Sequence, residues 1–205
     1  MHDASGSLAS YTVPTNTCTF NNLTVSTNQT LTPGTYCGGI LINGNSQVTF
    51  SPGLYYIQNG DFQILGSSNV TANNATFLIS GSSSNININT TGTVTMSPNT
   101  SGSAGQWAGF QFYYDPPSSS NNKNSAKAGQ NTISSAQMTI SGVVYLAGQK
   151  LNIKQGASLT VNPGVIVADF ILPDGGSLSL TGDLNSANPA NLKKAVESTV
   201  PILIQ

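Results

Sequence analysis

The 205-residue chain contains no arginine and one histidine, and its charged side chains are limited to six lysines and seven acidic residues. A protein that binds nucleic acid needs a basic surface to neutralise phosphates, so this composition argues against nucleic-acid recognition. Without arginine, a bidentate clamp for phosphate or carboxylate groups is not expected either. Apolar runs are also short, and none approaches the ~18 residues of a membrane-spanning helix. We therefore expect no nucleic-acid partner and no direct membrane insertion by this chain.

Asparagine, serine and threonine are abundant instead, with 23, 27 and 22 residues respectively. Strong helix formers are scarce, whereas the β-branched and aromatic residues that favour strands are common. Disordered chains can have a similar polar composition, but 38% of this chain is hydrophobic. These apolar residues alternate with polar ones, as in Ile86 and Ile88 among asparagines. Such alternation predicts strands with one buried face.

Pro-Gly pairs recur between the apolar segments. The pairs at 33–34 and 52–53 are 19 residues apart, and a later copy occupies 163–164. A period near 20 residues indicates a β-solenoid, whose stacked turns share a continuous core. We predict an all-β, right-handed parallel β-helix of about seven turns over residues 15–205, after a flexible tail at 1–14. A two-sheet β-sandwich is the alternative fold.

Two segments interrupt this period. Residues 97–131 are expected to form a long insertion that contains an aromatic strand. Asn188 and Pro189 resemble a helix N-cap followed by proline at the first helical position, which predicts a short helix at about 189–198.

The insertion holds the residues that we consider for ligand binding. Alternation within its aromatic strand predicts that Phe110, Phe112 and Tyr114 face the core, and that Trp107 and Tyr113 face the other way. Long insertions in compact repeats are usually functional or disordered. We therefore expect this one to project and to present its binding candidates at the surface, although a merely tolerated excursion is equally compatible with the sequence. The candidates are Trp107, Tyr113, Lys123 and Lys127.

The chain has two cysteines, Cys18 and Cys37. A bond between them would close a loop of 20 residues, which the chain-entropy model values at roughly 3 kcal/mol. The paired Cys and His spacings of zinc sites are absent. We favour a disulfide and hence an exported protein, with two free buried thiols as the alternative.

Several stretches together resemble a known family. They are CTF at 18–20, LTPGTYCGG at 31–39, AGFQFY at 108–113, GVVYL at 142–146 and VIVAD at 165–169. In this order they resemble the C-terminal region of bacterial TadG-like proteins, which are associated with the tight-adherence (Flp) pilus. The resemblance implies an extracellular, cell-surface or periplasmic location and a non-enzymatic structural or adhesive role. It implies pilus or cell-envelope proteins or surface glycans as partners, and it implies no catalytic residue.

Two other functions remain open. Parallel β-helices include polysaccharide lyases and hydrolases, and hydrolases need a pair of carboxylates. The candidates are Asp61, Asp115, Asp169, Asp174 and Asp183. Against an enzyme, arginine is missing and His2 lies in the tail, where it cannot act as a positioned base. Rows of threonine could alternatively bind ice or a crystalline polymer, although these rows look short and interrupted in the sequence. We assign no metal and no cofactor.

Overall fold

The computed structural model describes residues 13–81, 84–115 and 130–181, which form 15 β-strands and one short 3-10 helix at Gly102–Trp107. The strands are β1 Phe20–Val25, β2 Gln29–Leu31, β3 Gly34–Ile42, β4 Gln47–Phe50, β5 Gly53–Gln58, β6 Phe62–Gly66, β7 Asn69–Ala72, β8 Ala75–Ser80, β9 Ile86–Thr90, β10 Thr93–Met96, β11 Phe110–Asp115, β12 Gln130–Ser134, β13 Gln137–Lys154, β14 Ser158–Asp174 and β15 Ser177–Leu180.

The strands form three parallel sheets that we name A, B and C. Sheet A consists of β2, β4, β7, β10, the first parts of β13 and β14, and β15. Sheet B consists of the first parts of β1 and β3, then β5, β8, β11 and the middle of β13 and β14. Sheet C consists of the last parts of β1 and β3, then β6, β9, β12 and the last parts of β13 and β14.

The chain passes from sheet A to B to C and then starts the next layer, which confirms the predicted β-solenoid. It has about six turns rather than seven. One turn is much longer than the others: Val94 pairs with Met138, about twice the sequence distance between the paired residues Val48 and Val70. In the part of the chain that the structure describes, strand β1 contributes only to sheets B and C and β15 only to sheet A, so each sheet has seven layers although the complete turns number about six.

A stack of aromatic rings runs through the core on the inner face of sheet B. Phe20, Tyr36, Tyr55, Phe77 and Phe112 come from successive layers, and neighbouring ring centroids lie 4.6, 5.9, 5.2 and 5.4 Å apart. Each of these four pairs is stacked, with small interplanar angles. Such contacts contribute about 0.5–1.5 kcal/mol each beyond the burial of their surface. The ring stack therefore contributes to the packing of successive layers on one another.

The Pro-Gly pairs turn the chain from sheet A to sheet B. Pro33 lies between β2 and β3 and Pro52 lies between β4 and β5, so the predicted equivalence of these corners is confirmed. The hydroxyl groups of Tyr36 and Tyr55 each donate a hydrogen bond to the backbone carbonyl four residues earlier. Burial raises the pKa of Tyr36 to about 12 and also raises the pKa of Tyr55. These buried hydroxyls thus satisfy backbone acceptors at the corners.

The insertion expected at 97–131 is not one continuous excursion, because two strands of the solenoid lie within or overlap this range. Strand β11 is a regular member of sheet B, paired with β8 and β13, and β12 is a regular member of sheet C. The excursion is therefore divided into two segments that flank β11. The first, 97–109, contains the 3-10 helix, whereas 116–129 lies outside the described residues.

The N-terminal boundary also differs from the expectation. Val13, which we placed in the flexible tail together with Pro14, packs on the outside of sheet B. The Val13 N–H donates to Asp115 Oδ2 (3.1 Å), and the Pro14 carbonyl accepts from Gln58 Nε2 (2.9 Å). Residues 1–12 and the predicted helix at about 189–198 lie outside the described part of the chain. Among the residues described, no helix has the length and apolar character needed to cross a membrane.

Candidate functional site

The predicted disulfide is present and joins the first two layers of the solenoid. Cys18 lies just before β1 and Cys37 lies in β3, with their Cα atoms 5.6 Å apart. Next to the bridge, the Thr19 N–H donates to the Thr35 carbonyl (2.8 Å). The bridge therefore fastens the terminal layer, whose outer edge has no further described strand to pair with.

The aromatic binding candidates are buried rather than presented at the surface. Trp107 and Tyr113 belong to a second apolar cluster on the outer face of sheet B, with exposed fractions of 4% and 0%. Their ring centroids lie 4.8 Å apart, and Tyr113 stacks on Tyr145 at 5.0 Å. The expected aromatic platform is thus occupied by its own neighbours. The other two candidates, Lys123 and Lys127, lie outside the described residues.

The prediction for Phe110 was wrong. Phe112 and Tyr114 point into the solenoid core as expected, but Phe110 lies in the outer cluster with Tyr113. The pairing of β11 with β13 shifts register between Phe110 and Phe112. A bulge of one residue reverses the alternation of side chains, so strand parity from sequence assigned Phe110 to the opposite face.

The described carboxylates take part in backbone and amide hydrogen bonds or lie at the surface. Asp61 accepts from the Asn85 N–H (2.8 Å) and from Gln63 Nε2 (3.2 Å). Asp115 accepts from the Val13 N–H, and burial raises the pKa of its carboxyl. Asp174 is exposed at the end of β14. Within the described residues, no group of three or more potential metal ligands is present.

The outer face of sheet A carries a feature that sequence reasoning underestimated. One outward position is threonine in six consecutive layers and serine in the seventh. We call this set the hydroxyl column; its residues, in register order, are Thr30, Thr49, Thr71, Thr95, Thr139, Thr160 and Ser179.

The hydroxyl column lies on the surface. Thr160 is half-buried, and the other six members are exposed. Its neighbours along each strand, such as Val94 and Met96 on either side of Thr95, point into the core. Since parallel strands lie about 4.8 Å apart, seven layers place the hydroxyl groups along a line of about 29 Å.

The column continues across the long turn, which explains why it was missed. Thr95 pairs with Thr139 although the two flank the whole range 97–131. In sequence, the threonine row therefore looked short and interrupted. A recurring apolar-Thr-apolar triplet was the signal that could have revealed it, as in 48–50, 70–72 and 138–140.

A second outward position on sheet A has a different character. In register order it contains Gln47, Asn69, Thr93, Gln137, Ser158 and Ser177. Several of its polar groups are used within the protein: Asn69 Oδ1 accepts from the Thr93 N–H (2.9 Å) and from Thr93 Oγ1 (3.0 Å). By contrast, no hydrogen bond within residues 13–81, 84–115 and 130–181 engages a hydroxyl of the column.

The other two outer faces are less uniform. The outer cluster covers much of sheet B. Sheet C carries Lys150 and Lys154 on β13 and the exposed side chains of Phe170 (59%) and Leu172 (46%) on the paired β14, and Lys150 Nζ is 6.0 Å from the Phe170 ring centroid. Sheet A is therefore the one face that combines exposure, a repeated side chain and absence of charge among its described strands.

Comparison with known proteins adds no assignment, because no family model, curated protein or solved structure matches the chain significantly.

Proposed function

We propose that this chain is an extracellular, non-enzymatic structural or adhesive domain of a protein associated with the tight-adherence pilus. The hydroxyl column carries the proposal, because it is a long, exposed and regular surface on a rigid scaffold. The disulfide favours an oxidising compartment outside the cytoplasm. The resemblance to TadG-like proteins supplies the pilus and envelope context.

The construction of the solenoid suits attachment. Each turn contacts only its neighbours, so stacking produces an extended surface whose repeat is set by the core beneath it. The column uses this repeat to present one chemical group many times. Many weak contacts on a rigid array add up to firm attachment without a deep pocket. Pilus or cell-envelope proteins or surface glycans are the partners proposed for the domain as a whole.

The test is binding of the purified chain to isolated envelopes of bacteria with and without tight-adherence pili. Thr95→Lys places a charge in the middle of the column, and Thr132→Lys places the same charge in the same turn on sheet C. We expect Thr95→Lys to weaken binding to the piliated envelopes and Thr132→Lys to leave it unchanged. Equal binding by both variants would contradict the proposal.

A carbohydrate-active enzyme is the competing function, and a second arm tests it. The chain is incubated with pectin and with alginate, and reducing ends and unsaturated products are measured. We expect no product. Product formation that is abolished in Asp61→Asn or Asp115→Asn would replace the adhesive proposal with an enzymatic one.

A further inference from the structure

We infer that the hydroxyl column binds an ordered lattice of water, the surface of an ice crystal, rather than a soluble ligand. This inference rests on the proposal that the column is an attachment surface. It names the partner by the chemistry that fits seven equally spaced, uncharged hydroxyl groups.

The charge and composition of sheet A favour a neutral partner. The outward positions of sheet A are threonine, serine, asparagine and glutamine, so a charged polymer or mineral surface finds no complementary group there. Aromatic rings are absent from these outward positions, so any partner of this surface is held by hydrogen bonds rather than by ring stacking or an aromatic anchor. A neutral partner that offers only hydrogen bonds remains.

The area of this outward surface is small. The column and its neighbouring position form a strip about 29 Å long and about 10 Å wide, or roughly 300 Å². A stable protein interface buries about 800 Å² on each partner, which is well above this area. A crystal face is different because it presents its repeat along the whole strip at once, so all layers can engage together.

The column is periodic, and its side chains are stiff. The column repeats at about 4.8 Å, the spacing of stacked strands, so its hydroxyl groups form a regular row that a periodic surface can contact in every layer. Threonine has a restricted side-chain rotation, so its hydroxyl group holds its position better than the hydroxyl of serine or the amide of glutamine. The buried alternating residues, such as Val94 and Met96, fix the register from below.

The hydroxyl groups of the column are available for hydrogen bonds to water. Asn69 and Thr93 in the neighbouring position already bond to each other, as described above. The column hydroxyls have no such contact among the described residues, so they can donate to and accept from water. The adjacent methyl groups disfavour disordered hydration, which leaves an ordered layer as the complementary surface.

The experiment measures ice directly. The purified chain is tested for slowing of ice recrystallisation and for its partition into slowly grown ice, beside four variants. They are Thr95→Lys, Thr95→Val, Thr95→Ser and the control Thr132→Lys, each first checked by circular dichroism and thermal unfolding. A fifth variant, Thr71→Lys at another position of the column, guards against misfolding of any one protein.

We expect the wild type and Thr132→Lys to partition into ice and both column lysine variants to lose this activity. Thr95→Val and Thr95→Ser should each reduce it, because they remove the hydroxyl and the methyl group respectively. Exclusion of the wild type from ice, or equal partition of Thr95→Lys and Thr132→Lys, overturns the inference. If ice binding fails while envelope binding remains sensitive to Thr95→Lys, the adhesive proposal stands with a different ligand; if neither depends on Thr95, both fail.

Discussion

Removal of the Cys18–Cys37 bridge should loosen the first layer of the solenoid and leave the remaining layers almost unchanged. The perturbation is the double variant Cys18→Ser/Cys37→Ser. The bridge joins residues separated by 19 positions in sequence. A closed loop of this size restricts the unfolded chain by about 3 kcal/mol in the chain-entropy model.

The structure indicates where this free energy acts. Within the described part of the chain, strand β1 pairs only with β3. Its main apolar contributions are Val25, which is buried, and Phe20 and Leu23, which are partly buried. In a stacked repeat each layer interacts only with its neighbours, so the end layer can open alone. A decrease of about 3 kcal/mol in the free energy of opening corresponds to about a 150-fold increase in opening.

Hydrogen–deuterium exchange followed by mass spectrometry measures this opening layer by layer. We expect peptides from β1 to exchange about two orders of magnitude faster in the variant. Peptides from β8, in the middle of the solenoid, should keep the wild-type rate. If the bridge instead stabilised the whole chain as one unit, the melting temperature would fall by about 6–12 °C.

Two results would refute this reasoning. Unchanged exchange in β1 would mean that strand pairing alone holds the terminal layer. Equal acceleration in β1 and β8 would mean that the solenoid opens as one cooperative unit rather than layer by layer.

Three further substitutions test other parts of the fold. Tyr36→Phe should reduce the loss of stability at alkaline pH. Burial raises the pKa of the Tyr36 hydroxyl from 10.0 to about 12, so between these pH values the unfolded chain ionises first and the wild type loses stability as pH rises. Urea unfolding at a series of pH values measures this loss. Asp115→Asn should remove a loss of stability that occurs in the wild type as pH rises above 3.8. Burial raises the pKa of the Asp115 carboxyl in the folded protein, so the unfolded chain ionises first and is favoured as pH rises. Urea unfolding midpoints at acidic and neutral pH measure this loss. Gly39→Ala should destabilise the folded protein by about 2 kcal/mol or more, since Gly39 has φ 96° and a Cβ there would collide with the backbone of Asp61. The control Gly102→Ala places its Cβ in open space and should change the stability little. Thermal unfolding measures both variants.

Each of these has a contrary outcome. A Tyr36→Phe protein with the wild-type alkaline profile would place its hydroxyl in water. A steeper decline of Asp115→Asn towards neutral pH would reverse the sign assigned to that carboxyl. Equal stability of the two glycine variants would remove the argument for a crowded corner at Gly39.

Much of the fold was accessible from local sequence. The alternation around Ile86 and Ile88 predicted strands with one buried face, because successive side chains of a strand point in opposite directions. Pro33 and Pro52 predicted equivalent corners, because a fixed φ in a recurring turn gives the same change of direction in each layer. The two cysteines predicted the disulfide. These are all properties of short segments or of a simple repeat.

The candidate surface depended on contacts that sequence does not encode locally. Alternation assigns side chains to two faces but does not state which outer face another segment covers, so burial of Trp107 and Tyr113 on sheet B was missed. A single register shift moved Phe110 to that face. The tail residue Val13 joined it through contacts more than a hundred positions away.

The hydroxyl column shows the same division most clearly. The sequence by itself determined that threonine stands between two apolar residues in many copies, and therefore that it points outward from each strand. Only the tertiary structure decided that Thr95 stacks on Thr139, because that register depends on the layers closing over the whole of 97–131. Inter-layer hydrogen bonds and the shared core select this register, and they act between residues whose separation in the chain carries no periodic signal.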